Sequence, residues 1–184
     1  MPEESTLNND RTVRLRPVVP QDASFLLRVY ASTRAEEMAR VSWDDEQRAA
    51  FLKMQFDAQL HHYQSNFPNA LHDVIQHAGR PVGRLYVLRT DEFIRILDIT
   101  ILPEFRNAGL GTPLIQDLMK EAARSRRPLR IYVESFNPSL RLFERLGFRK
   151  AEEQGMHFLM EWNSSDSSNN SDEGNEGDEG NDGQ

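Results

Sequence analysis

The chain has 184 residues, no cysteine, 22 Lys and Arg against 29 Asp and Glu, and a formal net charge of -7. That length builds one domain with a core of ordinary size, and the lack of Cys excludes disulfides, thiolate metal sites and a cysteine nucleophile. The acidic residues Asp166, Asp172, Glu173, Glu176, Asp178, Glu179 and Asp182 carry the whole net charge, so residues 1–162 are neutral and lack the basic surface that nucleic-acid binding needs.

Residues 1–9 are polar and are expected to be a flexible N-terminus, without the charged-then-apolar plan of a signal peptide. No apolar run is long enough to span a bilayer, so the expected setting is cytoplasmic, with no membrane partner. "TVRLRPV", Thr12 to Val18, alternates as a strand. A helix follows from Pro20, with Asp22 as a candidate cap, and a second opens at Asp44 or Asp45 and closes before Pro68. "ALHDVIQHA" and "PVGRLYVLR" form a hairpin with Gly79-Arg80 at the turn, and "FIRILDITIL" is a strongly apolar strand. Next come a glycine turn, a helix to about Ser125, a strand from Leu129 to Ser135, and a short helix closed by Gly147. Two closing strands surround a turn at Gln154-Gly155. Residues 10–162 thus read as one α/β domain of α+β type, a mixed, mostly antiparallel sheet with helices on both faces. A right-handed parallel crossover joins the strand at Ile94 to the strand at Leu129. Residues 163–184 hold no large apolar side chain and are expected to be a disordered acidic tail.

The most informative stretch is "FRNAGLGTPLIQDLM", Phe105 to Met119, between the apolar strand and the following helix. The first N–H groups of a helix lack internal partners and carry positive partial charge. Gly109 and Gly111 keep side chains away from them, and Arg106 adds a full charge. The turn therefore reads as a cradle for an anion. A P-loop is excluded for want of G-x-x-x-x-G-K-[ST], and the first glycine of a dinucleotide fingerprint is missing.

R-x-x-G-x-G, here Arg106 to Gly111, resembles the acyl-CoA signature of the GNAT superfamily of N-acyltransferases. "LPEFRNAGLGTPLI" is similar to that family's central motif and "NPSLRLFERLGF", Asn137 to Phe148, to its second one. The resemblance covers about Arg11 to Trp162. It implies that main-chain N–H groups of Asn107, Ala108, Gly109, Leu110, Gly111 and Thr112 hold the coenzyme A pyrophosphate with help from Arg106. It also implies that the pantetheine arm of acetyl-CoA runs beside Ile99, Thr100 and Ile101, which requires that strand to splay from Ile131 to Ser135. Asn137 would brace the slot or the cofactor, and equally serves as a helix cap before Pro138.

The chemistry implied is direct transfer of an acetyl group to a primary amine of a small molecule or peptide. An amine of pKa about 10.4 is neutral in only about one molecule in a thousand at pH 7, so a base is needed. A main-chain N–H between Asp98 and Ile101 would stabilise the oxyanion. The family's frequent acid, a tyrosine, is replaced here by Phe143, and the strand positions of its Glu or His base hold Arg95 and Leu97. Glu134 and Asp98 are the substitute candidates; Asp98 is expected to share a face with Ile96 and Thr100. The ordinary reading of each is an ion pair with Arg95 or Arg130. Tyr132, Ser135 and Ser139 read as ordinary strand and helix-start polarity. The alternative function is a non-catalytic acyl-CoA-binding adaptor that has lost the acid.

In this family the N-terminal helices shape the acceptor pocket, which implicates Tyr30, Glu37 and Trp43 in substrate binding. Solvated helix faces and packing are the ordinary readings of Glu37 and Trp43. No metal is expected: His61 and His62 diverge on a helix, and His72 and His77 point to opposite sides of a strand. A homodimer is left open.

Overall fold

The computed structural model describes residues 13–164. The expected flexible N-terminus and nearly all of the acidic tail lie outside those residues. The chain forms β1 (Val13–Pro17), α1 (Ala23–Thr33), α2 (Ala35–Met38), α3 (Asp45–Asn66), β2 (Leu71–His77), β3 (Arg80–Arg89) and β4 (Ile94–Ile101). It continues with α4 (Gly111–Ser125), β5 (Leu129–Glu134), α5 (Leu140–Arg145), β6 (Arg149–Gln154) and β7 (His157–Trp162). The seven strands make one sheet in the order β1-β2-β3-β4-β5-β7-β6. Only β4 and β5 pair in parallel, joined through α4, as the expected mixed sheet requires.

Each face of the sheet is covered for a reason visible in the residues. Leu114, Ile115, Leu118 and Ala122 recur along one stripe of α4 and bury against Leu85, Val87, Ile94, Ile96, Leu129 and Ile131. Strand alternation turns Arg84 and Tyr86 to the opposite face, where Tyr63 of α3 stacks on Tyr86 with ring centroids 5.0 Å apart. Between α1 and α3 a second core forms from Leu26, Tyr30 and Phe56.

Local signals account for most boundaries. Asp44 caps α3 reciprocally: Gln47 N–H donates to its Oδ1 at 2.8 Å and Asp44 N–H to Gln47 Oε1 at 3.1 Å. The first expected helix is interrupted at Arg34, which leaves the separate α2. The hairpin turn is Ala78-Gly79 rather than Gly79-Arg80. Both residues take positive φ, 48° and 73°, the pair that a two-residue turn of matching twist demands, and Arg80 already begins β3. The last turn is likewise Gly155-Met156, one residue later than expected.

Arg16 and Asp22 pin β1 to the entry of α1 through two bonds of 2.7 Å. The Arg16 guanidinium, opposed by burial, brings the Asp22 carboxyl down to about 2. A depressed folded value contributes stability above the unfolded value of about 3.9, and that contribution fades as pH falls to the folded value. Asp22→Asn is therefore expected to lower unfolding free energy by about 1–2 kcal/mol at pH 7. In urea titrations the gap from the parent should close between pH 4 and pH 2, and a gap independent of pH would refute the assignment.

Candidate active site

The site originates in a register fault. Tyr86 of β3 pairs with Asp98, but Val87 pairs with Ile96, leaving Leu97 as an extra residue in β4. The bulge corrects the expectation that Asp98 and Ile96 share a face. Ile94, Ile96, Ile99 and Ile101 all join the core under α4, whereas Asp98 and Thr100 bond to one another beside Arg84. The parallel pairing of β4 and β5 covers only Ile94–Leu129, Arg95–Arg130 and Ile96–Ile131. Beyond it β5 stays paired to β7 and β4 to β3, so a gap opens between their C-terminal halves. This is the expected splay.

Main-chain alternation decides which groups line that gap. Leu102 N–H donates to Val82 O of the β3 side at 2.9 Å. Thr100 therefore presents its main chain to β3, and Ile99 and Ile101 present theirs to the gap. Thr100 is thus corrected as a main-chain cofactor contact; its hydroxyl donates to Asp98 Oδ1 at 2.7 Å. Arg106 Nε donates to Ile101 O at 2.9 Å, which ties the arginine to the gap's far end. The Ile99 N–H remains as the donor best placed for an oxyanion in the gap.

The glycine turn stands at the same end. Asn107 and Gly109 take positive φ, 60° and 77°, and residues 106–109 are exposed. Leu110 is the N-cap of α4, its side chain in the core, and no side chain caps the helix start. A Cβ at Gly109 would meet nothing within 4 Å, and one at Gly111 would meet only Ile101 Cδ1 at 3.6 Å. The space beside Gly109 is thus open, and the start of α4 carries no side-chain cap. This geometry fits a diphosphate.

The chemical groups lie on the α3 face of the gap. Glu134 is partly exposed, the last residue of β5, with no ion pair or side-chain hydrogen bond among the described residues. Asp98 differs. Its Oδ2 accepts from Arg84 at 2.6 Å and its Oδ1 from Thr100, so both oxygens are engaged. The ordinary reading thus prevails for Asp98, with Arg84 as the partner rather than Arg95 or Arg130. Arg130 pairs with Glu161 at 2.6 Å instead.

Tyr63, which belongs to the helices expected to shape the acceptor pocket, and His72, weighed from sequence only as a metal ligand, also reach this face. The Tyr63 phenol donates to Leu97 O of the bulge at 3.3 Å, and burial, then the Asp98 charge, pushes it up to about 12. His72 stacks on Tyr86 at 4.4 Å and is brought down to about 4 by burial and Arg84, so it is neutral at pH 7. The isolated arginine in "VGRLYVL" was the available signal for Arg84; the contact of Tyr63 with the bulge spans 34 residues of sequence, beyond the reach of local spacing. Phe143 is 2% exposed and packs edge-on to Phe148 at 5.2 Å, so it serves the core.

The remaining expected residues divide. Asn137 Oδ1 accepts from Ser139 N–H at 3.0 Å, closing the turn that leads into α5, whose N-cap is Ser139. Tyr30 is corrected: it is 3% exposed, 5.8 Å from Phe56, and fills the second core instead of lining a pocket. Glu37 is exposed and 3.6 Å from Arg34. Trp43 is 37% exposed, edge-on to Phe51 at 5.1 Å, with its carbonyl held by Arg48. Among the described residues no cluster of His, Cys, Asp and Glu could hold a metal ion, and no helix is long and apolar enough to cross a membrane.

The model of the acetyltransferase (GNAT) family matches residues 32–148, from α1 through the gap and the glycine turn to the end of α5. The chain belongs to the GNAT acetyltransferase family. This GNAT chain is 37% identical over 86 residues to a Trypanosoma brucei brucei protein named glucosamine 6-phosphate N-acetyltransferase. That match spans 43% of the chain and 58% of the relative's length. The fold is shared with the PaiA N-acetyltransferase from Thermoplasma acidophilum, solved in complex with coenzyme A. The TM-score is 0.61 at 17% identity, over 83% of this chain and 99% of that one. An acetyltransferase from Elizabethkingia anophelis with acetyl-CoA bound has a TM-score of 0.53 at 16% identity, over 82% and 97% of the two chains.

Proposed function

We propose that this GNAT protein transfers an acetyl group from acetyl-CoA directly to a primary amine of a small molecule or peptide. The observation that carries the reading is the coincidence of the β4/β5 gap with the uncapped amides of the Gly109 turn. Acetyl-CoA, when bound, supplies the acetyl thioester. The amides of Asn107 to Thr112, with Arg106, hold its diphosphate, and the main chain of Ile99 and Ile101 aligns its arm. Asn137 borders the slot from the β5 side. Glu134 takes the proton of the acceptor ammonium, directly or through water. The amine nitrogen then bonds to the acetyl carbon while Ile99 N–H stabilises the oxyanion, the carbon–sulfur bond breaks, and the proton shed by the nitrogen as the amide forms ends on the departing thiolate. A thiolate of pKa about 8.5 leaves without a dedicated acid at modest cost, so Phe143 does not forbid turnover. Asp98, tied to Arg84, holds the bulge in register rather than moving protons. Glu37 and Trp43 form the outer rim of the acceptor side.

Thiol release with an amine panel, glucosamine 6-phosphate among them, tests the reading. Glu134→Gln is expected to lower kcat about 10²-fold at pH 7, the usual size of a lost general base, with acetyl-CoA affinity unchanged. Phe143 in place of a phenol favours one alternative, an acyl-CoA-binding adaptor. Tight acetyl-CoA binding with no turnover on any amine would establish the adaptor and overturn catalysis.

A further inference from the structure

Arg95 lies on β4 just before its parallel pairing with β5 stops, on the face turned to α3. Its guanidinium carbon is 4.7 Å from the centroid of Tyr132 and 5.5 Å from that of Phe67 at the end of α3. Arg95 pairs in register with Arg130, and Tyr132 stands two residues further along the shared strand direction. The side chain therefore leans toward the gap.

Its hydrogen bonding is incomplete. Arg84, Arg89 and Arg130 of the neighbouring strands each hold a carboxylate, namely Asp98, Glu121 and Glu161. Arg95 forms no ion pair and no hydrogen bond among the described residues, and its Nε is buried without a partner. Ring faces attract the cation but satisfy none of its N–H groups, and a buried unpaired donor is costly. Held between two rings, the planar fork keeps its edge free for a bidentate oxygen anion.

We infer that Arg95 anchors an anionic oxygen group of the acceptor, a phosphate or a carboxylate, so that preferred amines carry such a group several bonds away. The inference rests on the acetyltransferase reading and specifies its substrate class. Ile99 stands four residues beyond Arg95, one of them bulged out, so the oxyanion donor and the Arg95 main chain are about 10 Å apart. The lean of the side chain shortens this span. An amino sugar phosphate or an amino acid with its two groups at opposite ends bridges it, whereas an α-amino acid does not.

The test uses two matched pairs, glucosamine 6-phosphate against glucosamine and 6-aminohexanoate against 6-aminohexanamide. At least one anionic member should exceed its neutral partner by about 10- to 100-fold in kcat/KM, the value of charge-assisted hydrogen bonds, and which pair does so separates phosphate from carboxylate. Arg95→Gln should collapse that ratio to within about threefold through KM alone, with acetyl-CoA affinity and melting temperature unchanged, and Arg95→Lys should restore part of it. Equal use of charged and neutral amines, or a preference that survives Arg95→Gln, overturns the assignment. If no amine turns over, calorimetry of glucose 6-phosphate and of 6-acetamidohexanoate with the coenzyme A complex decides: binding of either, lost in Arg95→Gln, supports the anchor, and binding of neither refutes it. Failure of acetyl-CoA itself to bind removes the underlying acetyltransferase reading, a result distinct from loss of acceptor preference alone.

Discussion

Gly109→Val is expected to weaken acetyl-CoA binding by about 100-fold or more, equivalent to about 2.7 kcal/mol, while the protein stays folded. The main chain at Gly109 has φ of 77° and a Cβ there would meet no protein atom within 4 Å. The Cβ of a valine thus points into open space, where the side chain obstructs what approaches from outside. It also strains the backbone, by about 1–2 kcal/mol in the left-handed region. The hairpin supplies an internal control. Gly79 has φ of 73° and equally open surroundings, but lies in the β2–β3 turn. Gly79→Val should lose comparable stability with full affinity for acetyl-CoA. Calorimetry and thermal melting on both variants separate the two terms. Equal affinities in both would sink the diphosphate cradle.

The second large effect falls on stability. Arg84 is 4% exposed, with Nη2 2.6 Å from Asp98 and 2.8 Å from Gln59 of α3. Arg84→Ala leaves the Asp98 carboxylate largely out of water without its cation, which typically costs about 3–5 kcal/mol. Replacing both members, Arg84→Met with Asp98→Leu, removes the uncompensated charge and should recover much of that loss, since buried pairs rarely outperform apolar side chains of similar volume. Urea denaturation of the two variants and the parent gives the comparison. A single variant as stable as the parent would show that the pair does not hold β3, β4 and α3 together. The pair also bears on catalysis: if Asp98 positions the bulge, Asp98→Asn should change kcat far less than Glu134→Gln does.

Much of this molecule was legible from local patterns. The apolar stripe of α4, the alternation in β5, the Asp44 cap and the two glycine-bearing motifs each depend on residues within a few positions of one another. They carried the mixed sheet, the crossover and the glycine turn at the start of α4. The glycine turn is readable because positive φ and uncapped helix amides are properties of a short stretch of chain. What spacing could not supply was the bulge at Leu97, since a register fault exists only between two strands. One inserted residue reverses which side chains face the core, and it sends Asp98 to Arg84 rather than into a free pocket. Tyr30 was misread for a related cause: an amphipathic aromatic on a helix can fill a core or line a cleft, and only the packing of α1 on α3 chooses. The sequence by itself determined most of the elements, their order and the uncapped glycine turn before α4, because these rest on local backbone preference and periodicity. Only the tertiary structure decided that Asp98 is taken by Arg84 while Arg95 lacks a partner, because each of these is a contest among groups far apart in the chain for the same few hydrogen bonds.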